Sequence, residues 1–122
     1  MDRVFFIIGA LLGGSGVAIG AFGAHTLRGR VPPESLAIFE TGARYQLVHA
    51  LALLGAAWAV AHWSNTPLRL AGWLLAAGTL IFSGSLYALV LSGHRWLGAI
   101  TPAGGLAMIA GWVLLAIGAW RR

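Results

Sequence analysis

The sequence predicts an all-α membrane protein, a bundle of four transmembrane helices with a short amphipathic interfacial helix between the first two spans. Hydrophobic residues make up 59% of the 122 residues and charged residues only 9%, whereas a soluble domain carries about 25% charged residues. The apolar residues form four runs, each close to the roughly 20 residues that a helix needs to cross a bilayer. We therefore expect residues 1–122 to form one integral membrane domain.

The four predicted spans cover residues 4–24, 45–63, 70–91 and 102–120. Polar and apolar residues do not alternate within them, so the strands of a transmembrane barrel are not expected. The first run has the flanking arginine and small residues of a signal peptide. It is, however, longer than the usual signal core of about 7–15 residues, which favours a helix that stays in the protein as an anchor.

Glycine recurs along one side of the first predicted span, at Gly9, Gly13, Gly16 and Gly20. Steps of four, three and four residues place these glycines on one face of a helix. Small residues on a helix face let a neighbouring backbone approach closely, which stabilises helix pairs in lipid. We expect this face to pack within the chain, and a seam between two copies of the protein is the alternative.

Arginine supplies all 8 basic residues, and most lie at the edges of the apolar runs. This placement is typical of anchors at lipid headgroups, so nucleic-acid binding is not expected despite the net charge of +5. We call the side with both termini side A and the opposite side side B. Each side carries four arginines, so the positive-inside rule does not decide the orientation. The pair Arg121 and Arg122 beside the last span favours cytoplasmic termini.

The long side-B connection between the first two spans is expected to contain the interfacial helix, at residues 33–43. Pro33 and Glu34 favour a helix start, because proline suits the first turn and an acid suits the positive end of the helix dipole. Glu40 and Arg44 are four residues apart and can pair along a helix. The segment is therefore expected to lie at the membrane surface and to lead into span two.

Most polar side chains of the spans lie in the half nearest side B. The group comprises His25, Glu40, Arg44, Tyr45, Gln46, His49, Ser83, Ser85, Tyr87 and Thr101. Tyr45 and His49 are four residues apart and so share one side of their helix, and the same spacing separates Ser83 from Tyr87. Polar groups in lipid need partners, so bonds across helices are expected. The cluster is either a network that fixes the bundle or a pocket for a headgroup, a quinone or a proton.

No catalytic constellation is visible in the sequence. The acids are Asp2, Glu34 and Glu40, all near or outside the interface, and the chain has no Cys. Cysteine nucleophiles, disulfides, iron–sulfur clusters and Cys-ligated zinc are thereby excluded. A two-histidine metal or haem site at His25 and His49 lacks the usual spacing of ligands on one helix. We expect no cofactor, no metal and no enzymatic activity.

Short motifs follow one another along almost the whole chain. They are GAFGAH at residues 20–25, YQ at 45–46 with HAL at 49–51, FSGSLY at 82–87, TP at 101–102 with GG at 104–105, and GW at 111–112. In this series the sequence resembles the YgdD-like family of small bacterial inner-membrane proteins, a domain of unknown function with a related mitochondrial branch. The resemblance implies a multi-pass protein of the bacterial inner (cell) membrane. It supplies no activity, substrate or site residue.

These observations leave two main hypotheses of function. The first is a non-enzymatic accessory or interaction protein that acts as a homo-oligomer or within a larger membrane complex. The alternative is a lipid- or quinone-binding protein, or a small transporter, that uses the polar cluster near side B. A membrane enzyme ranks third, because no carboxylate lies within the spans.

Overall fold

The computed structural model describes residues 2–121, which form four long helices and two short helical turns. Met1 and Arg122, the second arginine of the terminal pair, lie outside the described residues. The long helices are α1 (Asp2–Phe22), α2 (Pro33–Trp63), α3 (Thr66–Ser92) and α4 (Thr101–Arg121). Each is long and apolar enough to cross a membrane. The predicted fold class, four membrane-spanning helices, is confirmed.

The helix expected at residues 33–43 is present, and it continues without a break into the span expected at 45–63. The interfacial helix is thus the first third of α2 and not a separate element. The 31 residues of α2 correspond to about 46 Å, against a hydrocarbon core of about 30 Å, so α2 extends beyond the core on side B. The helix continues through Gly42, where the ring of Tyr87 packs against it and the Ser83 hydroxyl donates to its carbonyl oxygen.

α3 begins earlier than the predicted start at residue 70, because Asn65 caps it. The Asn65 side-chain oxygen accepts a hydrogen bond from the Leu68 backbone N–H at 3.1 Å. Pro67 occupies the first turn, where a missing N–H costs nothing. The Asn65 amide also donates to the carbonyl oxygen of Gly118 at 3.0 Å, so the same side chain starts α3 and holds the end of α4.

Two glycines with left-handed backbone conformations reverse the chain on side B. α1 continues as a π-helical turn over Gly23–Leu27, after which Gly29 has a φ of 84°. Gly93 ends α3 with a φ of 78°, and its N–H donates to the carbonyl oxygen of Leu89 at 2.9 Å. Glycine adopts positive φ without the steric cost that a Cβ brings, so both turns depend on it.

The helices pack in chain order, with α1 against α2, α2 against α3, and α3 against α4. α1 also contacts α3, and α4 also contacts α2, whereas the described residues of α1 and α4 do not contact each other. α2 and α3 therefore form a central pair, with α1 over one side of the pair and α4 over the other. This arrangement creates one groove between α1 and α3 and a second groove between α2 and α4.

A glycine seam brings the backbones of α3 and α4 close together. A Cβ at Gly104 would lie 2.5 Å from the backbone nitrogen of Phe82 and 2.8 Å from the carbonyl oxygen of Gly78. Gly111 and Gly118 face leucine side chains of α3 in the same way. The interval of seven residues keeps these glycines on one helix face, so the sequence carries a signal for this seam as it does for the glycine face of α1.

The glycines singled out on α1 lie mainly against α2. A Cβ at Gly9 would lie 2.9 Å from the carbonyl oxygen of Ala50, and a Cβ at Gly16 would lie 2.8 Å from a leucine of α2. A Cβ at Gly13 would make an ordinary van der Waals contact, and a Cβ at Gly20 would have no neighbour within 4 Å. At Gly9 and Gly16 the glycine face therefore packs within the chain.

Candidate functional site

The ten polar residues near side B do not converge on one pocket. Gln46, Ser83 and Tyr87 face the interface of α1, α2 and α3, whereas Tyr45 and His49 face α4. The remaining five lie at turns, at the surface or in a separate pair. The α2–α3 pair thus has a different polar arrangement on each of its two sides.

Gln46 joins three helices on the α1 side. Its side-chain amide nitrogen donates to the carbonyl oxygen of Leu12 at 2.9 Å and to the hydroxyl of Ser15 at 2.8 Å. Its side-chain oxygen accepts from the hydroxyl of Tyr87 at 2.7 Å. Gln46 is only 4% exposed, and both amide hydrogens and its oxygen are used. This group, with Ser83, is called the Gln46 network below.

Neighbouring hydroxyls are satisfied in the same internal manner. The Ser83 hydroxyl donates to the carbonyl oxygen of Gly42 at 2.7 Å, which ties α3 to α2. Ser85 and Thr101 share a hydrogen bond of 2.6 Å, which ties α3 to the start of α4. Across residues 2–121, no buried side-chain nitrogen or oxygen lacks a partner. These contacts favour the interpretation of a network that fixes the bundle.

His49 lies on the other side of the central pair and bonds to Trp112 of α4. The indole N–H donates to His49 Nε2 at 3.0 Å, and His49 Nδ1 lies 2.8 Å from the Tyr45 carbonyl oxygen. Because an indole nitrogen only donates, Nε2 must be unprotonated and Nδ1 must carry the hydrogen. The imidazole is therefore neutral, with both nitrogens engaged, and it offers no free nitrogen to a metal.

Sequence analysis missed the partner role of Trp112. A signal was available, because an indole N–H in the middle of a span needs an acceptor. The side-B half of span two supplies an imidazole, His49, at a suitable depth. The register between α2 and α4 cannot be derived from spacing along the chain, so only the structure identifies the pair.

Aromatic rings surround a cleft between α2 and α4. Tyr45 stacks on His49 with ring centroids 6.1 Å apart and packs against Phe82 at 4.9 Å. The cleft has a volume of about 370 Å³. Its lining comprises Tyr45, His49, Phe82, Gly105, Met108, Ile109 and Trp112. We call it the α2–α4 cleft.

Tyr45 has the one cleft-lining hydroxyl, and this hydroxyl is not used inside the chain. The residue is 41% exposed, and within residues 2–121 its hydroxyl has no hydrogen-bond partner. The opposite side differs: a smaller groove of about 240 Å³ runs between α1 and α3, and there the Gln46 and Tyr87 side chains are already bonded to each other. The α2–α4 cleft thus combines space with a free polar group.

Besides the Ser85–Thr101 pair, three of the predicted site residues stay apart from both regions. His25 is exposed on the π-helical turn, and Arg44 is exposed on α2. Glu40, expected to pair with Arg44, instead lies 3.9 Å from Arg28 of the side-B turn. Both partners are partly exposed, so this ion pair contributes at most about 1 kcal/mol.

Similarity to known proteins is consistent with this architecture. Residues 19–105 match a family model described as a protein of unknown function (DUF423). The chain belongs to this family. UPF0382 membrane protein YwdK of Bacillus subtilis is 42% identical to this DUF423 protein over 118 residues, which are 96% of each chain.

Two further relatives extend the same similarity. UPF0382 membrane protein SAB0533 of Staphylococcus aureus is 42% identical over 119 residues, covering 98% of this chain and 97% of the relative. UPF0382 inner membrane protein YgdD of Escherichia coli K12 is 41% identical over 120 residues, covering 98% and 92%. No solved structure matches the chain. The resemblance to the YgdD-like family is confirmed, and this DUF423 protein is a multi-pass protein of the bacterial inner membrane.

Proposed function

We propose that this DUF423 protein is a non-enzymatic accessory protein of the inner membrane, acting through contacts of its helices with a second copy or with other membrane proteins. The observation that supports this function is the internal use of its polar groups. A catalytic nucleophile needs a general base within hydrogen-bond reach. The hydroxyl, amide and imidazole groups of Ser83, Gln46 and His49 are instead bonded to other parts of the same chain.

The outer face of α1 supports a role in helix contacts. Ala10, Gly14 and Ala18 recur every four residues and are exposed, and Gly14 has no neighbour within 4 Å. Spaced small residues let a second helix approach closely in lipid. The buried residues of α1, Phe5, Gly9, Leu12 and Gly16, lie on the opposite face of the helix, so this face is exposed and available for a contact outside the chain.

Cross-linking and native mass spectrometry of the full chain from mild detergent test this function. We expect a dimer or a defined complex, and we expect Gly14→Leu to weaken it while the melting temperature stays unchanged. Gly55→Leu is the matched control, since Gly55 is also exposed in a span and has no neighbour within 4 Å. A monomer without cross-linked protein would contradict the proposal, and so would equal effects of the two substitutions.

A second candidate function is the binding of an apolar molecule with a polar head, a lipid or a quinone, in the α2–α4 cleft. The unpartnered hydroxyl of Tyr45 favours it, because a polar group at a lipid-open cleft gains a hydrogen bond from such a ligand. Mass spectrometry of the molecules that co-purify with the wild-type chain and with Tyr45→Phe tests this candidate. Equal retention by both proteins would count against it.

A further inference from the structure

We propose that the α2–α4 cleft binds a planar, lipid-soluble ring that carries a carbonyl acceptor, the chemistry of a quinone head group. This inference rests on the second candidate function above, and it adds the class of ligand, the hydrogen-bond donor and the depth of the site. It is independent of whether the outer face of α1 contacts another protein.

The walls of the cleft suit a flat ring. Tyr45, Phe82 and Trp112 present aromatic surfaces, and Met108 adds a polarisable thioether. Aromatic rings favour offset or edge-to-face contacts with another ring, and thioethers make favourable contacts with aromatic groups. The volume of about 370 Å³ lies within the range of about 300–1,000 Å³ that is usual for small-molecule sites.

The polar chemistry of the cleft selects a neutral acceptor. His49 and Trp112 satisfy each other, so the Tyr45 hydroxyl is the lining group left to donate. The residues that line the cleft include no arginine and no carboxylate. A phosphate headgroup would therefore lack a cationic partner in the cleft, whereas a ring carbonyl needs only one O–H donor.

The depth of the cleft agrees with an amphipathic ligand. Tyr45 lies five helical turns from Trp63, the residue at the side-A end of α2. This distance is about 27 Å, and the hydrocarbon core is about 30 Å thick. A ring bonded to Tyr45 would thus sit just below the side-B headgroups. Ile109 and Met108 lie further along α4, where an isoprenoid tail would contact them and continue into the bilayer.

Gly105 provides a way to fill the cleft without disturbing the bundle. A Cβ at this position would lie 3.8 Å from the nearest atom, in the ring of Phe82, which is an ordinary van der Waals contact. A leucine at residue 105 would therefore extend into the cleft and occupy the volume available to a ring. Gly55→Leu again serves as the control, because Gly55 lies outside the cleft lining and has open space around it.

The experiment uses the full chain in nanodiscs of phosphatidylethanolamine and phosphatidylglycerol, with decylubiquinone as the probe. Quenching of tryptophan fluorescence is measured against probe concentration, and the non-saturable part of the quenching gives the background of probe partition into the lipid. We expect saturable binding at one probe per chain, weakened at least about tenfold by Gly105→Leu. Loss of one hydrogen bond predicts about fivefold weaker binding for Tyr45→Phe. Gly55→Leu should bind like the wild type, and all variants should keep the same melting temperature.

Four results would overturn the inference. Non-saturable quenching, or equal binding by the wild type and Gly105→Leu, would show that the cleft does not hold the ring. If the wild type retains a phospholipid that Gly105→Leu releases, and decylubiquinone does not compete with it, then the cleft binds an acyl chain and not a ring. The second candidate function would then stand. Absence of both kinds of ligand would reject the inference and that candidate function together.

Discussion

The two sides of the α2–α3 pair use neighbouring residues of one helix in opposite ways. On the α1 side, Gln46 makes three hydrogen bonds and joins three helices. On the α4 side, Tyr45 lines the α2–α4 cleft, and its hydroxyl has no hydrogen-bond partner within residues 2–121. Consecutive residues of an α-helix point about 100° apart, so a single step along α2 separates a structural group from a group free to bind. In lipid, the direction of a polar side chain decides its role more than its residue type does.

The largest expected contrast compares two adjacent glycines of α4. Gly104→Leu should destabilise the protein by at least about 3 kcal/mol or prevent folding, since overpacking of a tight contact is costly and the new Cβ would meet backbone atoms of α3 at 2.5 and 2.8 Å. Gly105→Leu should change stability by less than about 0.5 kcal/mol, because its Cβ would make only an ordinary contact with the ring of Phe82. Unfolding by SDS titration measures both. Similar losses for the two variants would show that the cleft is not open as described.

The second contrast removes the Gln46 network. Gln46→Met keeps the shape of the side chain but leaves the hydroxyls of Tyr87 and Ser15 without their partner. Hydrogen bonds between membrane helices average about 0.6 kcal/mol and reach about 1.7, so a loss of about 2–3 kcal/mol is expected. The melting temperature in detergent measures it.

A double-mutant cycle separates lost bonds from altered packing at this position. Tyr87→Phe alone removes one bond and should cost less than Gln46→Met. In the double variant, the hydroxyl of Tyr87 is no longer stranded, so the combined loss should be smaller than the sum of the single losses. Simple additivity would indicate that the Gln46–Tyr87 bond contributes nothing.

A smaller effect is expected at the contact of His49 with Trp112. His49→Leu removes the acceptor and leaves the indole N–H without a partner, at a cost of about 1–2 kcal/mol. His49→Gln keeps an acceptor on α2 and should recover part of this loss, whereas His49→Leu with Trp112→Phe removes both polar groups and should also recover part. Equal stability of His49→Leu and the wild type would rule out a bond that holds α4 to α2.

The smallest effect is expected at Tyr45. Tyr45→Phe keeps the ring contacts with His49 and Phe82 and removes only a hydroxyl without an internal partner, so stability should change by less than about 0.5 kcal/mol. Ligand binding, in contrast, should weaken as described above. A stability loss as large as that of Gln46→Met would mean that the hydroxyl has a structural bond and would remove the distinction between the two sides.

Most of the fold was predictable from the sequence, because length and hydropathy define a span almost without regard to tertiary structure. Spans two, three and four lie within α2, α3 and α4, and span one continues from α1 into the π-helical turn. The starts of α2 and α3 were harder to predict. Glycine is a weak helix former, so the sequence left open whether the helix continues through Gly42. The start of α3 depends on the Asn65 cap, whose amide also reaches α4.

The candidate site was predictable only in part. Their residue types and their positions near side B marked Gln46, His49 and Tyr87 as polar groups in need of partners. Ser15 and Trp112 were not recognised as those partners. Which side chains bond across two helices depends on how the helices are rotated and offset along their axes. The spacing of residues along one chain does not reveal this rotation or offset. The division into the Gln46 network and the α2–α4 cleft therefore required the structure.

The unequal lengths of the helices have a consequence for the cleft. The Ser85–Thr101 bond sets the start of α4 level with Ser85, and α3 continues to Ser92, about 10 Å further. α2 and α3 therefore stand above α4 as a step at headgroup depth, and the α2–α4 cleft lies directly beneath it. A molecule in the cleft would meet hydrated headgroups above the step and acyl chains at its side, which makes the cleft a boundary position between two solvents.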